Sequence, residues 1–355
     1  MRLRRILREN HGKALHQVSL FLNAKHQEHL PFGLGLQKTF DRQGAVERDE
    51  HDTSNLLATV GGPQANVYDN EHCGDHLDIM SNFHIGAGDA DVEPTEFFTC
   101  CWVHQDEDAH LAVGGSDNLI HILSLAYSKE LARLAGHTGC ITDIQIHPHN
   151  DYHLLSAAKD GTVRLWDLRL NQCVCIFQAS ANVVAYHPSG TSFICGTNRG
   201  RIEQWFIPTE LCSSRPNTAA VDAEIPQVTE VCLHLLEDQL IFSNAGGLIA
   251  RATYGGEILK EMRIKNNNMN KCRFDLSLDK QYLAVGNAQG VVLVYHLESG
   301  RLVAELKHKR SVKAVKSCVF TRDCRSILYG TDDAFLWRYD YIDDTTLADW
   351  ASKQY

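Results

Sequence analysis

Residues 134–168 read LAGHTGCITDIQIHPHNDYHLLSAAKDGTVRLWDL, a unit opened by Gly136–His137 and closed by Trp166–Asp167. Between the two pairs lie three short apolar runs, Ile141–Ile146, Leu154–Ala157 and Thr162–Leu168, separated by turn residues. Each run alternates or is rich in β-branched residues, so each is expected as a strand rather than a helix. Asp160–Gly161 predicts a two-residue hairpin between the second and third runs, because Gly accepts the positive φ that a primed turn demands. A sheet this small cannot bury its own two faces, so a chain that carries one such unit must stack several. The pattern is that of a WD repeat, which recurs every ~40–45 residues. A chain of 355 residues then holds seven, and the expected fold is all-β, a seven-bladed WD-repeat β-propeller.

The polar residues of this unit fit a structural relay better than a catalytic triad. His137, Ser156, Asp160 and Trp166 are expected to link inside the blade, the carboxylate orienting the imidazole and the indole N–H serving as terminal donor. A hydrolase would need an exposed nucleophile elbow and an oxyanion site, and the sequence offers neither. Glycine runs such as Gly114–Gly115 read as blade turns rather than a dinucleotide loop, so the chain is expected not to be an enzyme and to need no cofactor.

The twelve cysteines contain no CxxC pair, and Cys100–Cys101 and Cys173/Cys175 suit strand faces better than zinc or disulfides. His147 and His149 sit close together, but no second pair stands at ligand spacing, so no metal site is expected. A formal charge of −10 argues against direct binding of nucleic acid and favours a basic partner. Acid concentrates at Asp41–Asp52 and Gln105–His110. No apolar run approaches the ~20 residues that cross a bilayer.

Along the chain, residues 1–15 are expected as a basic tail, residues 16–340 as the propeller and residues 341–355 as a C-terminal tail with a short helix after Asp343. His16–Asn23 is expected to complete the last blade so that no sheet edge stays open. Blade one then takes Leu30–Thr39, Leu56–Val60 and Ala65–Tyr68, and blade two begins with Leu77–Ile85. Blade four starts at Cys173 and blade seven at Leu302, and Pro208–Ile225 is a loop.

Several segments in colinear order make the chain resemble one family more than propellers in general. They are LPFG (30–33), EFFTCCW (96–102), GHTGCITDIQIHPHN (136–150), AAKDGTVRLWDL (157–168), YLAVGNAQGVVLVYHLE (282–298) and DDAFLWRYD (332–340). Together they resemble the EED/extra-sex-combs family of Polycomb WD-repeat proteins. The resemblance implies a noncatalytic nuclear subunit of Polycomb repressive complex 2 that grips a basic helix of a SET-domain histone methyltransferase. It also implies an aromatic cage that reads trimethyl-lysine on a histone H3 tail. Phe32 and Phe98 match the first two cage positions, whereas the aligned positions for the next two are Asn270 and Lys271, where a lysine repels the ligand cation. Arg338 matches a residue lining the top face. Asp106, Glu107 and Asp108, with Asp41–Asp52, are expected to form an acidic face for the partner helix. One alternative stays open: Trp166-Asp167-Leu168-Arg169 satisfies the W-D-x-R pattern of substrate receptors of cullin ubiquitin ligases.

Overall fold

Period-two apolarity governs the chain, and it becomes an uninterrupted apolar run wherever a strand is covered on both faces, as in Leu56–Gly61, all of whose residues are buried. The computed structural model describes residues 1–21, 56–72, 76–85, 95–105, 108–197, 201–208, 223–224, 232–236, 238–243, 247–264, 272–321 and 324–341. Within them, strands β1–β28 form seven four-stranded sheets, every pairing antiparallel.

The first blade is β2 (Gln17–Leu20), β3 (Leu56–Gly61), β4 (Gln64–His72) and β5 (His76–His84), and the second is β6 (Phe97–Gln105), β7 (Asp108–Gly115), β8 (Ile120–Ser124) and β9 (Lys129–Leu134). The third holds β10 (Ile141–Ile146), β11 (His153–Ala158), β12 (Val163–Asp167) and β13 (Gln172–Phe177); the fourth holds β14 (Ala181–Tyr186), β15 (Ser192–Thr197), β16 (Arg201–Phe206) and β17 (Ala223–Glu224). The fifth has β18 (Cys232–Leu235), β19 (Gln239–Ser243), β20 (Leu248–Thr253) and β21 (Ile258–Arg263). The sixth has β22 (Asp275–Leu276), β23 (Tyr282–Gly286), β24 (Val292–His296) and β25 (Leu302–Leu306). The seventh combines β26 (Val315–Phe320), β27 (Ser326–Thr331) and β28 (Phe335–Asp340) with β1 (Arg2–Arg8).

This order corrects the expected boundaries. Residues 1–15 are not a tail: β1 pairs with β28 from Arg2↔Asp340 to Arg8↔Phe335 and supplies the outermost strand of the last blade. Its half-exposed, arginine-rich pattern suits that outer position. Gln17–Leu20, expected to close the ring, is instead the inner strand of blade one, paired with β3 and burying Val18. The segments that open at Leu77, Cys173 and Leu302 each end the preceding blade rather than begin the next. Pro208–Ile225 is not wholly loop, since Ala223–Glu224 pairs with β16. Leu30–Thr39 and residues 342–355, including the expected helix, lie outside the described residues.

Seven apolar layers join the seven blades in sequence, each made from the facing sides of two neighbours. The layer between blades three and four packs Phe177 edge-on to Phe193 at 4.9 Å, with Trp205 behind them. The layer that shuts the ring sets Leu15, Val18, Leu57 and Tyr68 of blade one against Val319, Leu328 and Leu336 of blade seven. Each fully buried side chain of this size contributes roughly 1.5–3 kcal/mol relative to exposure.

The hairpin at Asp160–Gly161 is a three-residue turn rather than the expected two-residue one. Gly161 takes φ +83° but Asp160 does not turn positive, and Gly161 N–H donates to Ala158 O at 3.2 Å. That is a type I turn closed by one left-handed residue. Blades two, six and seven repeat it, with Asn118 (φ 66°), Gly290 (φ 80°) and Ala334 (φ 64°) in the left-handed place.

Candidate interaction faces of the ring

Because every blade is antiparallel, the connections alternate between the two faces of the ring. Links from first to second strand and from third to fourth emerge on one face, termed lower here. Links from second to third strand, and from one blade to the next, emerge on the other, the upper. Residues 22–55 and 106–107 both join a first strand to a second, so the strand ends that flank them share the lower face.

The relay residues come together inside blade three. His137 Nδ1 meets Asp160 Oδ2 at 2.8 Å, His137 Nε2 meets Ser156 Oγ at 2.7 Å, and Trp166 Nε1 donates to the same hydroxyl at 2.8 Å. Asp160 also accepts from Thr138 N at 3.0 Å and from Thr162 N at 2.9 Å. Burial holds the His137 imidazole below its usual range, so it is neutral at pH 7 and donates its Nδ1–H as a hydrogen bond to the carboxylate. Burial opposes charge on Asp160 as well, but the donors from His137, Thr162 and Thr138 outweigh it and hold the carboxyl down at about 2. With both imidazole nitrogens and the serine hydroxyl engaged, the set is closed on itself and offers no nucleophile.

The acidic positions divide. Asp106 and Glu107 lie outside the described residues. Asp108 does not face outward: its carboxylate accepts from His110 Nε2 at 2.9 Å, from Ala126 N at 2.9 Å and from the Ser124 hydroxyl. It closes the turn after β8, which corrects its expected place on a partner face. Arg338 is corrected in the same sense. It is buried, donates through Nε to Asp340 Oδ1 at 2.8 Å and through Nη1 to Asn70, and so clasps blade seven to blade one instead of lining the upper face.

Of the expected cage, Phe32, Asn270 and Lys271 lie outside the described residues. Phe21 and Leu56, which bound the segment containing Phe32, stand at the lower ends of β2 and β3, whereas Phe98 stands at the upper end of β6. The Phe98 ring is half-buried and meets the His16 ring edge-on at 5.0 Å, and His16 Nε2 meets Glu96 Oε1 at 2.9 Å. Burial and then the Lys316 ammonium lower the His16 pKa. Just after the two blade-six positions in the chain, Arg273 and Phe274 turn inward: Phe274 packs in the layer between blades five and six.

Arg273 reaches across the ring axis. Its Nη1 donates to Asp143 Oδ1 at 2.9 Å, joining blade six to blade three, while Asp143 Oδ2 accepts from Val184 N of blade four at 3.0 Å. Thr99 of blade two donates to the same carboxylate at 3.3 Å. Four blades thus meet at one buried acid. Sequence reasoning missed this contact, and also Glu9, whose buried carboxylate accepts from Thr59 Oγ1 at 2.5 Å, Asn66 Nδ2 at 2.7 Å and Tyr68 OH at 3.0 Å, and meets His11 Nε2 at 2.6 Å. The only signal for Glu9 was a single acid ending a run of arginines. In blade two, His121 sits between Asp117 at 2.7 Å and Glu130 at 2.6 Å; burial works against its charge, but the two carboxylates prevail and raise its pKa.

The remaining candidates are occupied by structural contacts. His147 Nε2 donates to Gly190 O at 3.0 Å and His149 Nε2 to Pro188 O at 2.7 Å, tying blade three to blade four. Burial pushes the Cys100 thiol up to about 12 and raises that of Cys101 as well, which keeps both protonated. Arg169 of the W-D-L-R run donates to Asp167 Oδ2 at 2.9 Å and lies over the Tyr152 ring at 5.1 Å. A polar depression of about 420 Å³ is lined by Arg251, Lys280, Gln281, His296, Leu297 and Glu298, with no hydroxyl or thiol nucleophile among them.

Among known proteins, the family described as WD domain, G-beta repeat matches residues 128–167. Over longer spans the chain is similar to Polycomb protein esc of Drosophila virilis, 21% identical across 338 residues that cover 81% of this chain and 78% of that protein. It is also similar to Polycomb group protein FIE1 of Oryza sativa subsp. japonica, 25% identical over 81% of this chain and 85% of that one. Polycomb group protein FIE2 of Zea mays is 23% identical over 81% and 84%, respectively.

Proposed function

We propose that this chain, which fits the esc/FIE-like family of WD-repeat proteins, is a noncatalytic scaffold of a nuclear Polycomb complex that acts in transcriptional repression. One observation carries the reading: a closed ring of seven blades, colinear with the esc and FIE proteins over about four fifths of the chain. In this reading its principal partner is a SET-domain histone H3 methyltransferase, together with the other subunits of Polycomb repressive complex 2. A basic helix of that enzyme docks on the lower face, at the strand ends that flank residues 22–55 and 106–107, the stretches of sequence that hold Asp41–Asp52, Asp106 and Glu107. Asp108 takes no part, being held by its own blade.

On the upper face, Phe98 with Glu96 beside it is the described part of a site for the trimethyl-lysine of a histone tail. A ring face and a carboxylate both attract a quaternary ammonium. Lys271, which the resemblance aligns with the cage, repels the ligand cation and weakens the preference for the trimethylated peptide.

The scaffold reading is tested by co-expression with a SET-domain methyltransferase and nuclease-treated affinity purification. The two are expected to elute together, and reversal of Asp106 and Glu107 to lysine is expected to abolish it. Recovery of a cullin adaptor in place of the methyltransferase would overturn it. Titration with trimethylated and unmodified histone H3 peptides tests the reader: Phe98→Ala should remove only the preference for the trimethylated peptide, and equal binding of both by the unaltered protein would sink it.

A further inference from the structure

Charge is unevenly shared around the ring. The two segments that build blade seven and lead into it, residues 1–9 and 307–340, carry twelve arginines and lysines against five acids, in a chain whose net charge is −10. Arg2 and Arg8 are exposed on β1, the outermost strand of that blade, while Arg4 between them is half-buried and held by Asp340 at 3.4 Å. Above the same blade, the upper-face connection from β25 to β26 exposes Lys307, Lys309, Arg310 and Lys313. Among the described residues none of these four meets an acid, whereas Lys316 is held by Asp332 at 3.1 Å. Arg8, at the end of β1 nearest that connection, lies over the Phe335 ring at 5.7 Å, so the two basic segments share the upper end of the blade.

We propose that this rim of blade seven contacts the phosphate backbone of duplex nucleic acid. The negative total charge leads to the expectation of no direct nucleic-acid binding, but a contact along one rim depends on the local field rather than on the sum. A seven-residue strand is about 20 Å long, enough to meet several phosphates of a duplex laid against it. Arginine's planar fork pairs with phosphate oxygens through two parallel hydrogen bonds, a geometry that an ammonium lacks. A stiff duplex meets a rigid rim without being ordered first, whereas an acidic peptide must lose its conformational freedom to lie along it. This role is independent of the scaffold role, whose test is run after nuclease treatment.

The test is fluorescence anisotropy of the full chain with a labelled 20-base-pair duplex of arbitrary sequence, from 50 to 200 mM salt. Lys309→Glu/Arg310→Glu is compared with Lys129→Glu/Lys159→Glu, which makes the same charge change on exposed residues of blades two and three. The first pair is expected to weaken binding at least about tenfold and to lower the salt slope by roughly 2, because each phosphate that a cation neutralises adds about 0.9 to that slope. The second should change affinity by less than about twofold. Thermal melts should match, since all four side chains are exposed. Absence of binding by the unaltered chain at 50 mM salt would overturn the proposal. So would equal weakening by both pairs, or displacement of the duplex by polyglutamate at equal charge, which would assign the rim to acidic peptides.

Discussion

A neutral imidazole between a carboxylate and a hydroxyl is stable in a blade only because each polar atom has a partner; removing one leaves the others desolvated and unpaired. In the relay of blade three, Asp160 bears the charge. Its folded pKa of about 2 lies below the ~3.9 of an unfolded aspartate. The stabilisation, on the order of 2 kcal/mol, is therefore complete above about pH 4 and lost as the pH falls toward 2. Buried His137, with its pKa also lowered, adds a loss of stability that begins as the pH falls below about 6.5, where the unfolded histidine takes up its proton first. Urea midpoints measured from pH 7 to pH 2 are expected to converge for the unaltered protein and Asp160→Asn at the acid end, and to differ most near neutrality. A constant difference at every pH would show that the carboxylate's charge is not what stabilises the blade. These four residues were legible in the sequence because the relay closes within one repeat. Glu9 and Arg273 were not, since their partners, His11 apart, lie at least 50 and 130 residues away.

Among the elements, the left-handed turn position and the closing strand are the two that decide whether a blade forms. Gly161 has space for a side chain, a Cβ there meeting only Ser180 Oγ at 3.6 Å, so Gly161→Ala tests backbone strain alone. A loss of about 1 kcal/mol is expected from its φ of +83°; no change in the denaturation midpoint would refute the turn. The closing strand is the more severe case. Deleting residues 1–9 removes β1 and the Glu9 carboxylate together, which exposes the edge of β28 and leaves Thr59, Asn66 and Tyr68 without their shared acceptor. The truncated chain is expected to melt at a lower temperature and to self-associate through the open edge, as read by light scattering. Strand identities were visible from alternation, but their assignment to blades was shifted by one strand. A repeat as written in sequence ends at Trp166–Asp167, whereas the blade in space takes one more strand, whose half-exposed pattern, as in Lys129–Leu134, does not reveal which neighbour it joins. The first strand of the chain was misread for a related reason: Met1–Arg8 is too basic to look like part of a sheet until its place at the outer rim is known.

At the scale of the molecule, seven layers for seven blades leave no break in the ring, and the Arg273–Asp143 pair braces it across the axis. Arg273→Met is expected to cost about 3–5 kcal/mol, because it strands a carboxylate that is 1% exposed; a loss below 1 kcal/mol by chemical denaturation would show that Thr99 and Val184 suffice to hold the charge. A body so braced changes shape little, which suits a part that holds other proteins in register. Its alternating connections were legible only once the strands were assigned to blades, because which strand end reaches which face depends on the order of strands around the whole ring. The most direct measurement of the central claim is the rate of histone H3 methylation by a SET-domain methyltransferase, reconstituted with and without this chain. A stable complex is expected, with a rate at least about tenfold above that of the enzyme alone, while the chain alone turns over nothing. An unchanged rate, with no complex on gel filtration, would contradict it.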